Sequence, residues 1–177
     1  MSTSEQPVPA RRVVLVPGVL ALLPEYAGQT DPVAELRDAA VAAVAWAGPD
    51  AVVVAEPQGE RVVAALRDAA GDRLEQGVGP AVVVVANGSA KRTEKAPGHL
   101  DERAVGFDEA LGEALRAADV EHLRQWDGAL ARELMVGHPD GFARLAELLT
   151  DAHPARVDYA DDPFGVQYWV MRWQCES

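Results

Sequence analysis

Two short apolar runs constrain this chain more than any other feature: Ala51–Ala55 (AVVVA) and Ala81–Ala86 (AVVVVA). A short continuous run of this kind marks a strand covered on both faces, as in parallel sheets. Patterns of helical period lie between and before the runs. Asp31-Pro32 opens the first, an N-cap acid followed by a proline at the first helical position. Val33, Leu36, Ala40, Val44 and Ala47 then recur at helical spacing until Gly48-Pro49 ends the segment. A second helix is expected near residues 60–70, with Val63, Leu66 and Ala70 on one side. Ahead of both, Val13–Val16 reads as a buried first strand stopped by Pro17-Gly18. The alternative is a secretory signal led by Arg11-Arg12, but Pro-Glu-Tyr after Leu23 is no small-x-small cleavage site. Strand, helix, strand, helix, strand implies an α/β layer fold on a largely parallel sheet.

Composition bounds the function. The 177 residues are 49% apolar and 25% charged, which suits one domain with a full core. Residues 1–10, polar with two prolines, read as a flexible tail, and 11–177 as a single domain. A formal charge of −12 excludes general binding to a phosphate backbone, so no nucleic-acid partner is expected. No apolar run approaches the roughly 20 residues that cross a bilayer, so no membrane role is expected. The single cysteine, Cys175, excludes an internal disulfide and a Cys-based zinc site and suits a reducing, cytoplasmic setting.

The second half is helical and then extended. Residues 87–103 break every periodicity, and a loop this long inside a compact domain is usually functional or disordered. Helical spacing resumes at Phe107, Leu111, Leu115 and Ala118, and Asp119 and Asp127 stand as N-caps of short helices. Phe142, Leu145 and Leu148 mark a last helix, and His153-Pro154 is read as a helix end. A strand over 155–159, a turn at Asp161-Asp162-Pro163 and an aromatic strand over 165–173 finish the chain.

Ligands of open parallel sheets bind beyond the carboxyl ends of the strands. Three stretches qualify: Pro17-Gly18, Glu56-Pro57-Gln58 and Asn87-Gly88-Ser89. The first carries no acid–base or metal-binding side chain, and the second only a carboxylate and an amide. The third is the strongest candidate. Its backbone N–H groups can turn toward an anion beside Lys91, Arg92 and Lys95, against the plainer reading of a solvated loop paired through Glu94. Among the four histidines, no spacing matches a local metal motif. His99 in the loop and His138 beside a Gly-Pro turn are the better functional candidates, although capping explains His138 equally well. There is no G-x-S-x-G elbow, P-loop or G-x-G-x-x-G. Trp169 and Trp173 alternate with Val170 and Arg172, which core or edge packing explains.

The stretch Val82–Arg103, VVVVANGSAKRTEKAPGHLDER, resembles the central motif of an actinobacterial group described as class III extradiol dioxygenase B-like, related more distantly to the Memo proteins. Asp161–Tyr168 is similar to that group's closing strand, and Gly137-His138-Pro139 to a Gly-x-His-Pro turn of Memo proteins. The resemblance implies a three-layer α/β/α fold around a mostly parallel, mixed sheet, and self-association. In active members, two histidines and a carboxylate hold Fe(II), leaving positions for catechol and O₂. Position by position, that set is missing here. Pro17-Gly18 stands after the first strand, Glu56-Pro57-Gln58 after the second, and Ser89-Ala90 where active relatives have Ser-His. Asp158 falls near the late ligand position, alone.

The expectation is therefore a non-catalytic, metal-free homologue without a cofactor, binding an unknown small molecule or protein partner. Its candidate site is Asn87, Ser89, Lys91, Arg92, Glu94, Lys95, His99 and His138, with Trp169–Trp173 as a possible contact surface. The rival is a metal-dependent, dioxygenase-like oxidoreductase with a remodelled site drawn from Glu56, His99, His138 and Asp158.

Overall fold

The computed structural model describes residues 11–77 and 79–176; the expected tail, 1–10, lies outside them. Five strands form one sheet: β1 (Arg11–Val16), β2 (Val52–Val54), β3 (Ala81–Val85), β4 (Arg156–Asp161) and β5 (Tyr168–Cys175), in the order β2-β3-β1-β5-β4. β1, β2 and β3 are mutually parallel, whereas β5 runs antiparallel to β1 and β4 antiparallel to β5. The sheet is thus mixed with a parallel core.

Alternation along the strands sends side chains into two separate cores. Val14, Val16, Val83, Val85 and Val170 pack under α1 (Ala34–Ala47) and α2 (Pro57–Ala70). Val13, Leu15, Val84, Trp169, Met171 and Trp173 pack under the other layer. That layer contains α3 (Arg103–Ala117), α4 (Val120–Arg124), α5 (Gly128–Glu133) and α6 (Asp140–Leu148). The fold is the expected α/β/α arrangement, and both faces of β3 are covered, as its unbroken apolar run requires.

Local chemistry sets the helix starts. The Asp119 carboxylate accepts the His122 N–H, and Asp127 accepts those of Ala129 and Leu130, so both acids cap as expected. Asp31 is not the N-cap expected and Pro32 is not helical, because α1 starts at Ala34 after Val33. Asp31 instead accepts the Val33 N–H one turn earlier and pairs with Arg37, whose guanidinium also holds the Ala21 and Leu22 carbonyls. The second helix begins at Pro57, not near residue 60, because Pro57 is itself its first residue.

Three further expectations are corrected. β2 is not covered on both faces: it is a three-residue edge strand, and Val52 is 62% exposed. His153 ends no helix, since α6 stops at Leu148 and the His153 N–H donates to the Gln174 carbonyl. Trp169 and Trp173 are no contact surface. β5 is an interior strand, and both indoles are buried against α3–α6. An aromatic chain, Phe107–Trp126–Phe142–Trp169, links them to that layer with ring centroids 6.3, 5.5 and 6.1 Å apart. The Trp173 indole N–H donates to the Leu115 carbonyl.

Candidate functional site

The carboxyl ends of β2 and β3 open into a cleft of about 170 Å³ lined by Val54, Ala55, Glu56, Val85, His138, Asp140 and Gly141. Glycines make it. A Cβ on Gly18 would lie 2.6 Å from His138 Nε2 and 2.7 Å from Val85 Cγ1, so the imidazole rests over the bare backbone that follows β1. A Cβ on Gly59 would meet Val85 at 2.8 Å, and one on Gly141 would meet the Val85 carbonyl at 2.9 Å. These contacts let the first turns of α2 and α6 close on the end of β3.

His138 has a left-handed backbone with φ 54°, a conformation that non-glycine residues adopt only when their surroundings impose it. Here the surroundings are explicit. Asn87 and Gly137 exchange two backbone hydrogen bonds of 3.1 Å, tying the turn before His138 to the end of β3. The imidazole Nδ1 lies 3.0 Å from Glu56 Oε2. A carboxylate only accepts, so Nδ1 is the donor, and a neutral ring then keeps an unprotonated Nε2 over Gly18. Gln58 donates to the Gly18 carbonyl and fastens the start of α2 to the end of β1.

The loop after β3 behaves differently. The N–H groups of Asn87, Gly88, Ala90 and Arg92 donate to the carbonyls of Gly137, Gln167, Leu134 and Gly165. The Ser89 N–H and hydroxyl both donate to Asp108, at 2.9 and 2.6 Å. Arg92 bridges Asp108 at 3.0 Å and Asp162 at 2.7 Å. Burial, the largest influence, pushes the Asp108 carboxyl above its ordinary range despite these donors. The two acids hold Arg92 more firmly protonated in spite of its burial. The anion cradle expected from these N–H groups is therefore not formed, because each already has a protein acceptor.

The remaining candidates point elsewhere. Glu94 and Lys95 line an open depression of about 560 Å³ with Thr93, Asp162, Pro163, Phe164 and Gly165. Lys91 is half-buried, and His99 is exposed with φ 59°. Asp158 lies on β4, bound by Arg172 at 2.6 and 2.8 Å and by Arg156 at 3.1 Å, and does not join the cleft. Only Glu56 and His138, 82 residues apart, come together from the rival set.

An Fe(II) facial triad needs three side-chain donors on one side. The strand ends bring together one carboxylate and one imidazole in contact, and no group of three or more His, Cys, Asp or Glu side chains able to hold a metal exists among the described residues. The residues present do not fit that iron site.

Sequence reasoning missed Asp108, although a signal was there. Ala104, Asp108, Leu111 and Leu115 form one helical stripe, and an acid within an apolar stripe marks a buried, partnered carboxylate. Asp140, at the mouth of the cleft, carried no such mark. No family model matches the chain, and no curated protein matches it. The class defined by the fold and cleft is an α/β/α protein with a small cleft at the carboxyl ends of its parallel strands.

Proposed function

We propose that this chain is a non-catalytic, metal-free binding protein on an extradiol dioxygenase B-like scaffold, with its ligand site in the cleft between Glu56 and His138. The contact of 3.0 Å between those side chains carries the reading. It sets a polar pair against an otherwise mostly apolar wall of Val54, Ala55 and Val85, the usual make-up of a small-molecule site. It also supplies two donors where the iron chemistry of the resembled family needs three. The ligand is a small molecule or a short segment of a partner chain, met in the cytoplasm. Nucleic acid is disfavoured by the charge of −12. No described helix is long and apolar enough to cross a membrane. Self-association, which the family resemblance implies, would use a surface other than the buried Trp169–Trp173 strand.

The test is metal content after anaerobic incubation of the purified full chain with Fe(II), Mn(II) and Zn(II), followed by desalting. Near-zero stoichiometry for all three is expected. One tightly held metal per chain, lost in Glu56→Ala or His138→Ala, would overturn the reading in favour of a metal-dependent oxidoreductase with a remodelled site.

A further inference from the structure

The opposite end of the sheet holds a second concavity, of about 320 Å³, lined by Trp46, His153, Pro154, Arg156, Arg172 and Gln174 among others. Arg156 and Arg172 face each other directly across β4 and β5. Like charges in that register repel, and one carboxylate, Asp158, lies between them. Asp158 takes Nε of Arg156 and Nε and Nη2 of Arg172. Both Nη groups of Arg156 and Nη1 of Arg172 have no hydrogen-bond acceptor among the described residues.

Arg172 is also pinned from the side, its guanidinium 5.5 Å from the centre of the Trp46 ring. Arg12 lies 4.8 Å from the same ring, donates to the Trp46 carbonyl and pairs with Glu75. His153 pairs with Glu176 at the rim. Arg12, Arg156 and Arg172 stand against Asp158, Glu75 and Glu176, so the formal charges balance with His153 neutral. In a chain of net charge −12, a concavity with as many cations as anions does not follow from composition.

We propose that this concavity binds a small organic oxyanion, a carboxylate or a phosphate, through the outward guanidinium nitrogens of Arg156 and Arg172. Both groups present two oxygens to an arginine fork, and either would fill the guanidinium donors that Asp158 leaves unmet. Trp46 and Asp158 hold Arg172 in place, so part of the ordering cost of binding is met before the ligand arrives. The site is independent of the Glu56–His138 cleft.

The experiment titrates the full chain, at low ionic strength, with inorganic phosphate in one arm and benzoate in the other. It follows the Trp46 indole N–H and the Arg172 Nε–H by heteronuclear NMR, with affinities from calorimetry. Saturable shifts of both signals are expected with at least one probe, and the tighter arm identifies the oxyanion. Arg156→Ala is expected to weaken that affinity about tenfold or more, as loss of a charge-assisted bond does. Arg156→Lys should recover part of it, while His138→Ala should leave it unchanged. Absence of shifts with both probes at millimolar concentration, or an Arg156→Ala affinity equal to the native one, would overturn the proposal.

Discussion

Two sets of polar residues meet at the carboxyl end of β3 and have opposite fates. The loop after β3 sends Ser89 and Arg92 inward to Asp108, and its backbone donors are met by Gly137, Gln167, Leu134 and Gly165. The turn before α6 instead brings His138 over Gly18 and leaves a cleft in front of it. In sequence, the loop looks richer, with two lysines, an arginine and a serine against one histidine. In space it is a strut. A donor serves a ligand only when the fold has not already given it an acceptor, and burial makes the fold fill every such valence it can.

Removing the centre of the strut should give the largest effect. Asp108→Ala leaves Arg92 with a single carboxylate partner and strands the Ser89 N–H and hydroxyl. Breaking a buried charge pair from one side costs about 3–5 kcal/mol, to be read from urea unfolding midpoints at constant slope. Ser89→Ala removes one charge-assisted bond and should cost less, about 1.5–3 kcal/mol. Equal costs for the two variants, or a cost below about 1 kcal/mol for Asp108→Ala, would mean that the loop is not held through Asp108.

The cleft should respond to space rather than to charge. Gly18→Ala would place a methyl group 2.6 Å from His138 Nε2 and 2.7 Å from Val85 Cγ1. Overpacking of this kind costs about 1–3 kcal/mol, and the softer partner to move is the imidazole. The expected signature is a changed His138 ring environment by NMR, matching that of Glu56→Gln, in a folded protein. Glu56→Gln itself should change stability by less than about 1 kcal/mol, because Glu56 is 62% exposed and an exposed ion pair contributes little. An unmoved His138 signal in Gly18→Ala would show that the glycine does not seat the ring.

Much of this fold could be read from the chain, for reasons that individual residues make plain. AVVVVA and the caps at Asp119 and Asp127 act locally, and each becomes the element its chemistry suggests. AVVVA looks the same as AVVVVA in sequence, yet it lies at the sheet edge. Strand order is decided by packing across the whole sheet, which no local pattern encodes. The cleft was legible only in parts. Glu56 and His138 are 82 residues apart, and Pro17-Gly18 reads as a lack of chemistry, whereas its missing side chain is what admits the imidazole. Asp158 misled for a related reason. Its place beside an arginine on the neighbouring strand depends on a β4–β5 register containing an irregularity between Val157 and Tyr159.

The finest test uses two carboxylates whose surroundings shift them in opposite directions. Burial raises Asp108 above its ordinary value of 3.8, so the folded chain holds that proton more tightly than the unfolded chain. Its contribution is largest below 3.8 and declines as pH rises through the folded value. Asp31 is lowered from 3.8 chiefly by its hydrogen bond to Arg37, so its contribution is present above 3.8 and is lost as pH falls through the folded value. Each acid is compared with its own Asn variant in urea unfolding series from acid to neutral pH. The stability of the native chain relative to Asp108→Asn should fall as pH rises. Relative to Asp31→Asn it should rise over the acid range. Parallel slopes would mean that the Arg92 charge, rather than burial, governs Asp108, and that the strut is an ordinary salt bridge.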